Sequence, residues 1–183
     1  MTGIGTDLRL QGIMRTPLLT FSALLIALPP ALAKDRAAWK SEKDFRNAAP
    51  MVHRQALWLE ANPDAEGWSD SLKTVLTWGH DVPYVTLGTA KVFEKEIQNL
   101  PKDPVAGRIS SMMLVGYVQY ATEADFQKPM EFDMAKAGVT CMIRYYENVR
   151  HLKPDYKIPA MERLAGLLHS DALDEYIQAK LRK

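Results

Sequence analysis

The stretch PMEFDMAKAGVTCMIRYYENVRHL, residues 129–152, decides the fold class of this chain. Met130, Met134, Ala137, Cys141, Ile143, Tyr146, Val149 and Leu152 fall close to the three-and-four spacing that puts side chains on one face of an α-helix. Pro129 suits the first turn, where its missing N–H costs nothing. The pattern persists for about six turns, longer than an average helix. It predicts a long central helix near 129–152, against which shorter elements pack.

Those neighbours read as helices too. Lys34–Ala49 is rich in Ala, Lys, Glu and Arg with Trp39, Phe45 and Ala49 as a sparse apolar stripe, and predicts a first helix. Pro50 is expected to open a second, carrying Met51, Val52, Ala56, Leu57 and Leu59 and stopped by Asn62-Pro63. A third starts at the N-cap residues Ser69 or Asp70 and runs toward Gly79. Between Gly79 and Gly88 the pattern is irregular, with a short extended piece allowed from Pro83 to Gly88 but no second strand to pair it. Helix resumes near Thr89 through Val92, Phe93 and Ile97 and is ended by Leu100-Pro101 and Asp103-Pro104.

Val105–Ala121 is the most apolar segment after the N-terminal region, with Ile109, Met112, Met113, Gly116, Tyr117 and Tyr120 on a helical period. Its glycines at 107 and 116 imply either close approach of a neighbouring helix or a loss of about 1 kcal/mol each. Pro159 opens a further helix, and Ser170 or Asp171 is expected to cap the last. No fixed repeat period is present. The expected fold is all-α, a single compact bundle of six or seven helices.

The first 33 residues are expected to lie outside that bundle. Leu18–Leu28, LLTFSALLIAL, is too short for a bilayer, which takes about 20 apolar residues. It follows Met14-Arg15 and precedes Pro29-Pro30, Ala31-Leu32-Ala33 and then the charged Lys34, Asp35 and Arg36. Positive n-region, apolar h-region and small-residue cleavage site are the order of a secretory signal. The expected division is therefore a signal peptide at 1–33, with Met14 an alternative start, and a helical domain at 34–183. No cysteine follows Ala33, so a lipid anchor on the first mature residue is not expected. The expected location is the periplasm or the outside of the cell.

Early Trp58-Leu59-Glu60-Ala61-Asn62-Pro63, then Leu76-Thr77-Trp78 before Asp81-Val82-Pro83-Tyr84-Val85, and late Tyr146-Glu147-Asn148 with Leu173-Asp174-Glu175-Tyr176-Ile177 resemble a group of small exported all-helical bacterial proteins. The resemblance implies export and a helical fold. The group has no assigned activity, so no site residue follows from it.

Charge and cysteine content exclude several classes. The 183 residues hold 23 basic and 22 acidic side chains, and no Lys/Arg run forms a patch for nucleic acid or an anionic membrane. Without residues 1–33 the two counts become equal at 21. Cys141 is the single cysteine, so an internal disulfide, a C-x-x-C pair and covalent haem attachment are all ruled out. Its helical apolar setting predicts a core thiol.

Chemistry-bearing residues are sparse. Of His53, His80, His151 and His169, none lies in an established metal motif, and Glu147 with His151 at i, i+4 reads as a helix-surface pair. No metal or cofactor is expected. Asp64/Glu66 and Glu131/Asp133 read as surface charge, no serine lies in a G-x-S-x-G elbow, and no glycine pattern forms a phosphate loop. His80 and Asp81, with His53, are the candidate catalytic group for an unrecognised periplasmic enzyme, on the expectation that the irregular segment gathers them.

The other class is a non-catalytic module that binds a protein or a small apolar ligand in a groove between helices. Trp39, Trp58, Trp68 and Trp78 all precede residue 80 and are expected mostly to fill the core. Trp68 beside Gly67 is the expected exception, so Trp68, Trp78 and Tyr84 are the candidate contact residues. The binding module is the favoured reading.

Overall fold

The computed structural model describes residues 39–83, 91–124 and 130–182. Among them are seven α-helices, one 3-10 turn and no strand. The helices are α1 Glu42–Ala61, α2 Trp68–Asp81, α3 Glu94–Gln98, α4 Pro104–Glu123, α5 Glu131–Leu152, α6 Pro159–His169 and α7 Leu173–Leu181, with the 3-10 turn Lys91–Phe93 leading into α3. The all-α bundle with a long central helix is what the periodicity predicts. α5 packs against α1, α4, α6 and α7.

The expected break at Pro50 is absent: one helix, α1, runs through it. Phe45, Ala49, Val52, Ala56 and Leu59 form an unbroken buried stripe across the proline, which itself faces outward. Burying residues on both sides outweighs the one backbone hydrogen bond that proline removes. α1 begins at a capping box. Ser41 Oγ accepts from the Asp44 N–H, and Asp44 Oδ2 accepts from the Ser41 N–H at 2.9 Å. At its other end the Asn62 amide donates to the Trp58 carbonyl at 2.8 Å.

α2 begins one residue before the expected caps, behind Gly67 in a left-handed conformation (φ +78°). It continues to Asp81, past the expected stop at Gly79, and ends before Pro83. The allowed extended piece at Pro83–Gly88 lies outside the described residues except for Pro83, which is in a turn. Pro129 is likewise outside them, and Met130 is the residue that precedes α5.

α4 and α5 form the centre. Asp103 caps α4 by accepting from the Val105 and Ala106 N–H groups at 2.8 and 3.0 Å. Tyr156 donates to the same carboxylate at 2.9 Å, tying the loop before α6 to this cap. The two helices run antiparallel, with Gly116 against Gly138 and, further along, Tyr120 donating to Asp133. A Cβ on Gly116 would lie 2.5 Å from the Ala137 carbonyl oxygen, so close approach is the reason for this glycine. Gly107 meets nothing within 4 Å.

The cap expected at Ser170 or Asp171 closes α6 rather than opening α7. Asp171 takes a left-handed φ of 59°, with Ala172 N–H bonded to Leu167 O and Asp171 N–H to Leu168 O, the two bonds of a Schellman turn. α7 starts without a side-chain cap. No helix among the described residues is long and apolar enough to cross a membrane.

Candidate functional site

Trp68 is buried, not exposed as its loop position suggested. The left-handed Gly67 turns the chain inward, so the indole N–H donates to the Leu59 carbonyl at 3.1 Å and the ring packs beside Tyr145. The Arg108 guanidinium lies over the ring, 5.0 Å from its centre. Trp78 is fully buried, meets Phe45 edge-on and donates to the Phe45 carbonyl at 3.3 Å. Neither indole is available as a contact surface. Tyr84 lies outside the described residues.

His80 and Asp81 end α2 with His80 Nδ1 2.8 Å from Asp81 Oδ1. The imidazole is 84% exposed. The pair borders a depression of about 550 Å³ together with Lys73, Leu76 and Thr77, all from α2. His53 lies elsewhere, with Nδ1 2.9 Å from Thr122 Oγ1 and Nε2 3.6 Å from Glu123 at the end of α4. The structure thus joins two of the three candidate catalytic residues and separates the third. Glu147 pairs with His169 of α6 at 2.6 Å rather than with His151. Among the described residues no group of three or more His, Cys, Asp or Glu could hold a metal ion.

Cys141 is buried in α5, and burial with the neighbouring Glu60 pushes its thiol well above the ordinary range. Glu60 is itself raised by burial, partly offset by Arg144 and by the amide of Gln119. This polar cluster under α1, α4 and α5 makes the thiol a poor nucleophile.

A different place gathers polar groups from three elements. Glu96 of α3 is only 6% exposed. Its Oε1 accepts from Tyr176 Oη at 2.6 Å, Lys180 Nζ at 2.7 Å and Arg163 Nη2 at 3.3 Å. Its Oε2 is buried with no hydrogen-bond partner. Arg163 Nη2 also donates to Tyr176 Oη at 3.0 Å, and its guanidinium lies 5.4 Å from the centre of the Tyr176 ring. The Lys180 ammonium sits over the rings of both Tyr176 and Phe93. Burial opposes the Glu96 charge, but the donors from Lys180 and Tyr176 outweigh it and hold the carboxyl below its ordinary range. Burial and the Glu96 carboxylate raise the Tyr176 phenol.

Above this cluster is a cleft of about 710 Å³ bounded by α3, α6 and α7, with Glu131 of α5 at its edge. Sequence reasoning passed over it because its residues lie far apart, Glu96 being 67 residues from Arg163 and 80 from Tyr176. One local signal was present. Phe93, Glu96 and Leu100 are spaced by three and four, which sets an acid on an apolar stripe.

Comparison with models of protein families, with curated proteins and with solved structures finds no match for this chain.

Proposed function

We propose that this chain is an exported, non-catalytic helical protein that binds a ligand in the cleft between α3, α6 and α7. The observation that carries the reading is the cleft itself: a concavity of about 710 Å³ whose polar groups are already fixed by a buried carboxylate. Ligand sites are concave, largely pre-formed and furnished with a few placed polar groups. The buried tryptophans shift the binding reading from an apolar groove to this polar one. His80 and Asp81, side by side on one exposed helix end, have no third group in bonding reach among the described residues, which favours binding over the enzyme reading. Export rests on the 18–36 pattern, and a cut after Ala33 removes none of the described residues.

The test is a thermal-shift screen of the secreted protein against small acids, amines, sugars and short peptides, repeated with Ala179→Trp. Ala179 is an exposed α7 residue lining the cleft, and an indole there fills it. Ligands should raise Tm in the parent and lose that effect in the variant. Hits indifferent to Ala179→Trp would place binding elsewhere. The mass of the exported chain should correspond to Lys34 at the N-terminus, and an intact leader would refute export by cleavage.

A further inference from the structure

We propose that the α3/α6/α7 cleft takes an uncharged sugar, whose hydroxyls bridge Arg163 to the rim carboxylates in the way the Tyr176 hydroxyl bridges Arg163 to Glu96. This rests on the binding role proposed for the cleft and adds the chemistry of its ligand.

Charge comes first. Glu94, Glu96 and Glu131 line the cleft with Lys95, Arg163 and Lys180, three acids against three bases. The lining is neutral overall, so its field favours neither an anion nor a cation. An apolar ligand is disfavoured as well, because it would strip water from these charges and return no hydrogen bonds. What suits the cleft is a neutral ligand dense in groups that both donate and accept.

Geometry comes second, and it selects hydroxyls. The Tyr176 hydroxyl donates to Glu96 Oε1 at 2.6 Å and accepts from Arg163 Nη2 at 3.0 Å, so one uncharged oxygen already joins a carboxylate to a guanidinium here. A hydroxyl can do this because a single atom carries one donor and two acceptor lone pairs. The same groups have capacity to spare. Arg163 is bonded through Nη2 alone, which leaves Nη1 and Nε without a hydrogen-bond partner among the described residues. Every two-pronged grip of a guanidinium uses Nη2. With that nitrogen engaged, Arg163 offers single donors, which suit single oxygens rather than a carboxylate or a phosphate. The side chains of Lys95 and Glu131, exposed at the rim, make no hydrogen bond or ion pair among the described residues, and Glu94 is engaged only by the Gln98 amide. Donors and acceptors therefore alternate around one cleft, as hydroxyls on neighbouring carbons require. Val92 and Leu181 supply apolar surface for the C–H face of a sugar ring.

The experiment is an NMR titration of the folded protein with glucose, maltose, arabinose and N-acetylglucosamine, alongside gluconate and glucosamine, which keep hydroxyls but carry a negative or a positive charge. At least one neutral sugar should bind saturably, shift amides in 92–96 and 176–181, and exceed both charged analogues in affinity. Its affinity should change by less than about twofold between low salt and about 0.3 M salt, since binding neutralises no net charge. Arg163→Met keeps the apolar stem and removes the donors, and Glu131→Leu removes an acceptor on which no other described residue depends. Each should weaken that sugar by about tenfold, the scale of a hydrogen bond to a charged group, and a melting curve on each variant confirms that it folds. Absence of saturable binding by all four sugars, tighter binding of gluconate or glucosamine, a strong salt dependence, or undiminished affinity in either variant would each overturn the proposal. Should the sugars fail while another ligand from the thermal-shift screen is lost in Ala179→Trp, the cleft stands as the binding site and the sugar assignment falls. Sugar binding that persists in Ala179→Trp would overturn the cleft itself as the site.

Discussion

Gly116 and Gly107 stand in one helix and are opposite in kind. Around Gly116 the atoms that an added Cβ would meet are the Ala137 carbonyl oxygen at 2.5 Å and the Gly138 Cα at 2.7 Å. Both belong to the backbone of α5, so a methyl group cannot be absorbed by rotating a side chain. The two central helices must separate. Gly116→Ala should therefore destabilise by about 1–3 kcal/mol or more, the usual cost of overpacking. Gly107 is exposed with open space around it, and Gly107→Ala should stabilise by about 0.5–1 kcal/mol through helix propensity alone. Urea unfolding of the two variants should show midpoints displaced in opposite directions, and a neutral Gly116→Ala would contradict the close crossing. The sequence shows that each glycine weakens a helix unless a neighbour needs the space. It does not show which neighbour, because Gly138 is 22 residues away and the pairing depends on how α4 and α5 meet.

Legibility at the scale of elements follows how local the signals are. Pro159 marks the start of α6 to the residue, and Asp103-Pro104, which reads as the end of the preceding helix, also caps and opens α4, since capping and the fixed φ of proline act within one turn. Pro50 misleads for the same reason. Its local preference is for a helix start, while the stripe Phe45, Ala49, Val52, Ala56 and Leu59 holds the helix together across it from outside. Pro50→Ala should restore the missing N–H at an exposed position and raise stability by about 1–3 kcal/mol, as measured by denaturant unfolding. A loss of stability would mean that Pro50 restricts the unfolded chain by more than it costs the helix. Among the site elements, α3 and α7 are expected as helices from Val92, Phe93 and Ile97 and from the chain after Asp171, but at five and nine residues they are too short for periodicity to say which faces meet. Their cleft was illegible because it exists only once α6 and α7 bring Arg163, Tyr176 and Lys180 to Glu96.

At the scale of the whole molecule, several carboxylates that tie elements together are held below their ordinary range: Asp44 in the α1 capping box, Asp103 at the α4 cap and Glu96 between α3, α6 and α7. A depressed carboxyl is ionised more readily in the folded state than in the unfolded chain. Its contribution is present at neutral pH and is lost as pH falls below the unfolded value, about 4, and through the folded one. Glu60 acts in the opposite sense, because its raised carboxyl takes up a proton earlier in the folded state and so opposes acid unfolding. The lowered groups outnumber it, and stability should decline on acidification below about pH 4.5. Glu96 is the most buried of the bridging acids, and Glu96→Gln separates its share. That variant keeps the shape but leaves Lys180 and Arg163 without their counter-charge, which should cost about 1–3 kcal/mol at pH 7. It also removes one titrating group from the acid limb. A urea series from pH 7 to pH 3 should therefore show the variant starting lower and falling less steeply than the parent, the two curves converging as Glu96 of the parent becomes protonated. Parallel curves at every pH would mean that the Glu96 carboxylate titrates alike in the folded and unfolded chains, and the three donors at its Oε1 would then contribute packing but no charge-linked stability.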